Sequence, residues 1–254
     1  MLITDPLFYA AAIPAVILFG ISKGGFGGGL GVLAVPLMAL VISPVRAAAI
    51  LLPILCVMDL VALWKFRGKW VWPELRVLLP ASLIGILTGT MLFEYMSAAV
   101  IRLIVGVVAI VFTLHFWINK QRSNSSNLVN YPRSFGLIGA SVAGFTSFVA
   151  HSGGPPISMY LLRRPLDRTD FVATSIVFFA VVNYVKLVPY TWLGQFDSDN
   201  LATSAALVIL APIGVLIGVW LHRRVSDRFF FAFVYVLLFV VGLKLVYDGL
   251  GGLF

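Results

Sequence analysis

Apolar runs occupy nearly the whole chain, at 7–22, 30–42, 47–64, 75–93, 98–118, 134–150, 157–162, 171–193, 201–221 and 229–247. Only short polar stretches part them, and 11% of residues are charged, against about 25% in an ordinary soluble domain. A surface made of such runs cannot face water, so lipid must be the solvent for most side chains. Backbone N–H and C=O groups at membrane depth must then be satisfied inside the protein, which points to helices. With 254 residues and about 20 per helix, the chain has room for about eight membrane segments. The expected product is an all-α, multi-pass integral membrane protein.

The net charge of +8 would suggest nucleic acid in a soluble chain. Here the Lys and Arg residues sit in short loops, where they set orientation, so no nucleic-acid partner is expected. The single cysteine, Cys56, lies in an apolar run and supports no disulfide, metal or redox site. The first apolar run follows Asp5 with no basic residue before it, so it reads as a membrane segment and not as a cleaved signal.

The polar stretch NKQRSNSSNLVNYPR, 119–133, divides the chain into halves of similar size. Residues 1–119 form a first repeat, 120–133 a linker loop and 134–254 a second repeat within one membrane domain. Each half opens with an apolar run broken by glycines, then a short apolar helix and a turn ending in Arg46 or Arg168. Each carries a GxxxG in its third element, Gly85/Gly89 and Gly214/Gly218, followed by Ser97 and Ser226 at matching distances. Small residues at that spacing permit close helix contact.

Orientation depends on whether each broken run crosses the membrane. If both cross, the loop Lys and Arg residues divide equally between the two sides. If both enter and return on the same side, only Arg46, Arg102 and Lys244 face away from thirteen others, which the positive-inside rule prefers. Each half then consists of a glycine-broken re-entrant hairpin plus three transmembrane helices. Three is odd, so the two repeats are inverted, with both termini outside and the hairpin tips meeting near the midplane. The arms of the first hairpin, roughly 16 residues and about 24 Å, would reach past the midplane but fall short of a full crossing.

The breaks are the candidate binding elements. The first reads GISKGGFGGGLG, 20–31, with Ser22, Lys23, Gly24, Gly25, Gly27, Gly28 and Gly29; the second reads FVAHSGGPPISMY, 148–160, with His151, Ser152, Gly153, Gly154 and Pro155. Irregular backbone at depth must face protein or a wet cavity, and glycine lets backbone approach a ligand. Helix N-termini near Leu30 and after Ser152 would present N–H groups to an anion, with Ser152 as a cap. Tight helix contact is the alternative use of the same glycines. Paired breaks in two halves mark a transporter site.

Few charges lie within the apolar runs. Lys23 at the first break is expected to attract the anion. Lys186 is expected to snorkel to the outer interface, with a site role as the alternative. Asp59 either pairs with a lysine, carries a proton, or sits near the cytoplasmic end with Lys65. Asn183 occupies the matching helix of the second half. His151 either binds substrate and titrates, or caps and packs. An enzyme is not expected: HExxH is absent, and His151 beside Ser152 is poor geometry for a base and nucleophile. No cofactor or metal is implied.

The stretches ISKGGFGGGLGVLAVPLMAL and AGFTSFVAHSGGPPISMYLL resemble the sulfite exporter TauE/SafE family over most of the chain, from about residue 13 to 247. That resemblance implies a bacterial-type inner-membrane permease of two repeats that moves sulfite, sulfonates or related anions. The expected partners are a small anionic substrate and the lipid bilayer, with room for a homodimer. The expected function is a secondary transporter whose site lies between the two breaks, with an anion channel or uniporter as the alternative. The orientation is testable in a Cys56→Ser background. A cysteine at Leu253 is expected to react with an impermeant thiol reagent from outside, and one at Gly68 is not. Equal reaction of both from outside would remove the inverted-hairpin topology.

Overall fold

Helix starts follow from local caps. Asp5 accepts from the Leu7 amide and Pro6 takes the first turn, starting α1, Pro6–Gly25. Ser43 and Pro44 do the same for α3, Pro44–Lys65. The computed structural model describes residues 3–28, 31–93, 95–122, 132–222, 224 and 227–253. Between α1 and α3 the chain turns through Gly27 and Gly28, whose φ values of 64° and 78° favour glycine. A 3₁₀ turn, Gly31–Leu33, and α2, Ala34–Met38, then return along α1. The first half continues with α4, Trp72–Phe93, and α5, Ala98–Arg122. The second half has α6, Arg133–Ala150; α7, Gly154–Leu161; α8, Arg168–Trp192; α9, Ser198–Leu207; α10, Leu210–His222; and α11, Asp227–Gly251. Among the described residues there is no strand.

Among the described residues six helices (α1, α3, α4, α5, α6 and α8) are long and apolar enough to cross a membrane, and the bent pair α9–α10 would make a seventh. Large apolar side chains face outward, among them Met91, Val188 and Trp192, at 72%, 73% and 80% exposure. In lipid such an outer face costs nothing.

Two expectations are corrected. The first arm, α1, has 20 residues and not about 16, about 30 Å of helix, because the helix continues through Lys23, Gly24 and Gly25. The run 201–221 is not one straight helix: α9 and α10 meet at 43°. Pro212, in the first turn of α10, has no N–H to offer, and its ring crowds the carbonyl four residues back, at Val208.

The tightest pairings link the two halves. α1 packs on α10, α4 on α6, α5 on α11 and α3 on α8. Glycine makes the first two possible. A Cβ added at Gly20 would stand 2.7 Å from Gly214 Cα, and one at Gly24 2.1 Å from the Val215 carbonyl oxygen. On the other side a Cβ at Gly85 would stand 1.9 Å from the Ser141 oxygen. In both pairs residue numbers rise together along the contact, so the partner helices run parallel. Both GxxxG stretches therefore receive the opening helix of the opposite half.

Side-chain bonds also link the two halves. Arg164, just past α7, donates to Glu74 of α4 at 2.8 Å, and the Tyr160 hydroxyl donates to the same carboxylate at 2.8 Å. Arg46, in the first turn of α3, donates to Asn200 of α9 at 2.9 Å. A test of the glycine contacts is Gly144→Ala, whose Cβ would fall 2.1 Å from the Ser82 oxygen. It is expected to cost about 1–3 kcal/mol as α4 and α6 are pushed apart, read as a lower melting temperature. Gly251→Ala meets nothing within 4 Å and is expected to be nearly silent.

Candidate functional site

The inward face of α8 carries Ser175, Phe179, Asn183, Lys186 and Tyr190, spaced four, four, three and four apart, which is one side of a helix. This stripe meets the two breaks. Lys23, at the end of α1, ion-pairs with Asp59 Oδ1 of α3, and its ammonium also lies 3.5 Å from the Leu55 carbonyl. Asn183 donates its amide to Asp59 Oδ2 at 2.7 Å. Lys23, Asp59 and Asn183 are 2%, 0% and 2% exposed, so the carboxylate is shared between a lysine and an amide away from water. Of the readings open for Asp59, pairing with a lysine is the one observed; Lys65 is not its partner.

Lys186 does not snorkel. It is fully buried, because its position on the stripe points it into the bundle and not along the helix toward Trp192. Its ammonium donates to the Ser147 carbonyl at 2.9 Å, the Ser147 hydroxyl at 3.0 Å and His151 Nδ1 at 2.8 Å. Three acceptors match its three N–H donors. A backbone carbonyl only accepts, so His151 Nε2 donates to Ala48 O at 2.9 Å. With Lys186 protonated, Nδ1 accepts from it, and His151 is a neutral imidazole bridging α6, α3 and α8. Among the described residues no carboxylate lies within ion-pair distance of Lys186.

The backbone under His151 is unusual. His151 closes α6 at φ 51° and ψ 26°, the one non-glycine residue with positive φ among those described. Its amide donates to Ser147 O, and that of Ser152 to Thr146 O; the first is the single bond of an αL helix cap, a place glycine normally takes. A left-handed non-glycine residue costs on the order of 1–3 kcal/mol and persists where neighbours hold it; here the ring is held at both nitrogens.

A small cavity lies between the breaks, lined by Phe19, Lys23, Gly28, Ser147, His151, Gly154, Phe179 and Asn183. Its volume is about 10 Å³, room for about one water and no more. Five expected site residues therefore converge: Lys23, Gly28, His151, Gly154 and Asn183. Asp59 and Lys186 stand one hydrogen bond behind them.

The other expected residues have different surroundings. Gly24 and Gly25 face α10, where a Cβ would strike the carbonyl oxygens of Val215 and Gly218. Gly27 packs under Phe171, and Gly153 against the Ala143 oxygen. Ser22 accepts the Phe26 and Gly28 amides on its carbonyl, and Pro155 is buried in the first turn of α7. Ser152 does not cap α7: its hydroxyl turns back to the Ala150 carbonyl at 3.0 Å, and Gly153 takes the cap position with no side-chain bond. Gly29 lies outside the described residues, as does Leu30; the helix expected near Leu30 is instead the 3₁₀ turn and the five-residue α2.

Two residues were not anticipated. Ser147 lines the cavity and holds Lys186; its place one helical turn before His151 was the available signal. Ser175 Oγ is buried with no hydrogen-bond partner among the described residues, 3.3 Å from where a Gly27 Cβ would stand. Its signal was the four-residue spacing to Phe179 and Asn183.

Among the described residues, six long apolar helices and a belt of exposed apolar side chains mark a multi-pass membrane protein. The model of the family described as sulfite exporter TauE/SafE matches residues 12–245, and the chain belongs to that family, which is one of membrane transporters. No curated protein and no solved structure matches the chain significantly.

The ion pair yields a stability prediction. Lys23→Gln leaves a buried carboxylate without its cation and is expected to cost about 3–5 kcal/mol. Lys23→Gln with Asp59→Asn should recover most of that loss. Thermal unfolding in detergent of the two single variants and the double variant reads the coupling; simple additivity would mean that the pair is not held as described.

Proposed function

We propose that this chain is a secondary transporter, a permease or exporter for small sulfur-containing anions such as sulfite or organosulfonates, acting in a bacterial-type inner membrane. The carrying observation is the buried centre between the two breaks: two lysines, one carboxylate and a neutral histidine around one cavity. A positive excess away from water favours an anion. The unpartnered Ser175 hydroxyl offers a further contact once the cavity widens.

The pairing of helices supports two inverted repeats, 1–119 and 134–254, each a re-entrant hairpin plus three spanning helices. Exchanging the halves turns the α1–α10 contact into α6–α4 and returns α3–α8 and α5–α11 to themselves. The chain turns back at Gly27–Gly28 and at His151–Gly153, and both turns lie beside the cavity. A cavity with room for one water is closed to a tetrahedral oxyanion, so binding requires one side to open. Rocking of one repeat against the other about the fixed centre would admit the anion from each face in turn. The closed centre favours such a carrier over a channel.

The test is binding and flux together. Purified protein is expected to be stabilised by sulfite or methanesulfonate and not by a cation such as choline, and liposomes should show saturable anion flux. Gly28→Leu, whose Cβ would press on the Phe179 ring at 3.2 Å from a backbone at φ 78°, should abolish flux. If no anion binds wild type, or if Gly28→Leu transports normally, the site is misassigned.

A further inference from the structure

The charges at the centre can be counted. Lys23 and Asp59 cancel, a neutral His151 adds nothing, and a protonated Lys186 then leaves a net charge of one, held by three neutral acceptors with no carboxylate in ion-pair distance among the described residues. Such a charge is costly in a low-dielectric interior unless an anion arrives. Ser147 and His151, which hold Lys186, both line the cavity, so an anion there meets the groups bonded to this lysine first. Resting on the transporter reading above, we infer that Lys186 is the substrate's counter-charge and that Asp59, by cancelling Lys23, sets the site to accept a single negative charge. Oxyanions carrying one charge are bound; those carrying two leave the centre with a buried excess of the opposite sign. Lys23, the expected anion partner from its place at the break, then serves as half of a structural pair and as a wall of the cavity.

The charge count makes the valence of the bound anion adjustable. Replacing Lys186 lowers the net charge from one to zero, and Asp59→Asn raises it to two. Lys23→Gln combined with Asp59→Asn leaves it at one. The probes are methanesulfonate and sulfate, which share a tetrahedral sulfur–oxygen head and differ in charge. Each is titrated against purified protein by calorimetry at neutral pH and constant ionic strength. Wild type is expected to prefer methanesulfonate by at least about tenfold. Lys186→Met should weaken methanesulfonate by about tenfold to a hundredfold. It should also raise the melting temperature of the empty protein, because it removes an uncompensated buried charge; a merely structural lysine would lower it. Asp59→Asn should move the preference toward sulfate. The double variant should keep the wild-type order of the two probes, whatever its absolute affinity. Should Asp59→Asn fail to fold, Lys186→Met and the double variant still decide the matter. Equal wild-type affinity for the two probes, or unchanged methanesulfonate affinity in Lys186→Met, would overturn the charge assignment while leaving an anion transporter standing. Failure of wild type to bind either probe would remove the transporter reading and this inference with it.

Discussion

A carboxylate and an ammonium enclosed in a membrane protein each need a partner, because neither lipid nor an apolar core can solvate them. In this chain Lys23 and Asp59 meet that need for one another, and Asn183 completes the carboxylate's bonding. The three residues come from α1, α3 and α8, so a single charge pair joins an opening helix to the central helices of both halves. The remaining polar centre is arranged around it. Lys186 lies one helical turn beyond Asn183 on α8, and from there it reaches Ser147 and His151 at the end of α6.

Such a centre can be assembled only if the surrounding helices come close enough to exclude lipid. Glycine provides the approach. Gly20 and Gly24 admit α10 to backbone contact, and Gly85 and Gly144 admit α4 and α6 to each other. With little hydrophobic drive between helices inside a bilayer, close packing and interhelical hydrogen bonds carry the association. The glycines near the first break thus divide between two tasks. Those on the α10 side of α1 make the bundle compact, whereas Gly27 and Gly28 bend the chain back with positive φ beside the cavity. Composition alone could not separate these tasks, since both call for the same residue.

The two ends of the bundle are fastened differently. Arg164 and Tyr160 share the Glu74 carboxylate at one end, a charge-assisted arrangement, while Arg46 holds the neutral amide oxygen of Asn200 at the other. Bonds to a carboxylate are the stronger kind. Both join opposite halves of the chain, the end of α7 to α4 and the start of α3 to α9, so opening either end means parting a contact between halves.

Much of this architecture was legible without coordinates. The apolar runs implied a helical membrane protein, and the breaks located residues that now line the cavity. Periodic hydrophobicity and glycine spacing are properties of the chain itself, so they could be read from it. What the chain did not disclose was which buried charges face each other. Lys23 was expected to meet an anion and meets Asp59; Lys186 was expected to reach the interface and points inward to Ser147 and His151. A lysine stem is long enough for either course, and the choice depends on which neighbouring helix presents an acceptor at that height. The bend at Pro212 shows the other side of the same lesson: the proline was plain in the sequence, but membrane helices often absorb one without a bend of this size, as α3 and α4 do with Pro53 and Pro80. Local sequence determined the helices and their breaks, through backbone hydrogen bonding and solvent. The pairing of charges was decided by the tertiary structure, because it depends on the relative depth and rotation of helices far apart in the chain.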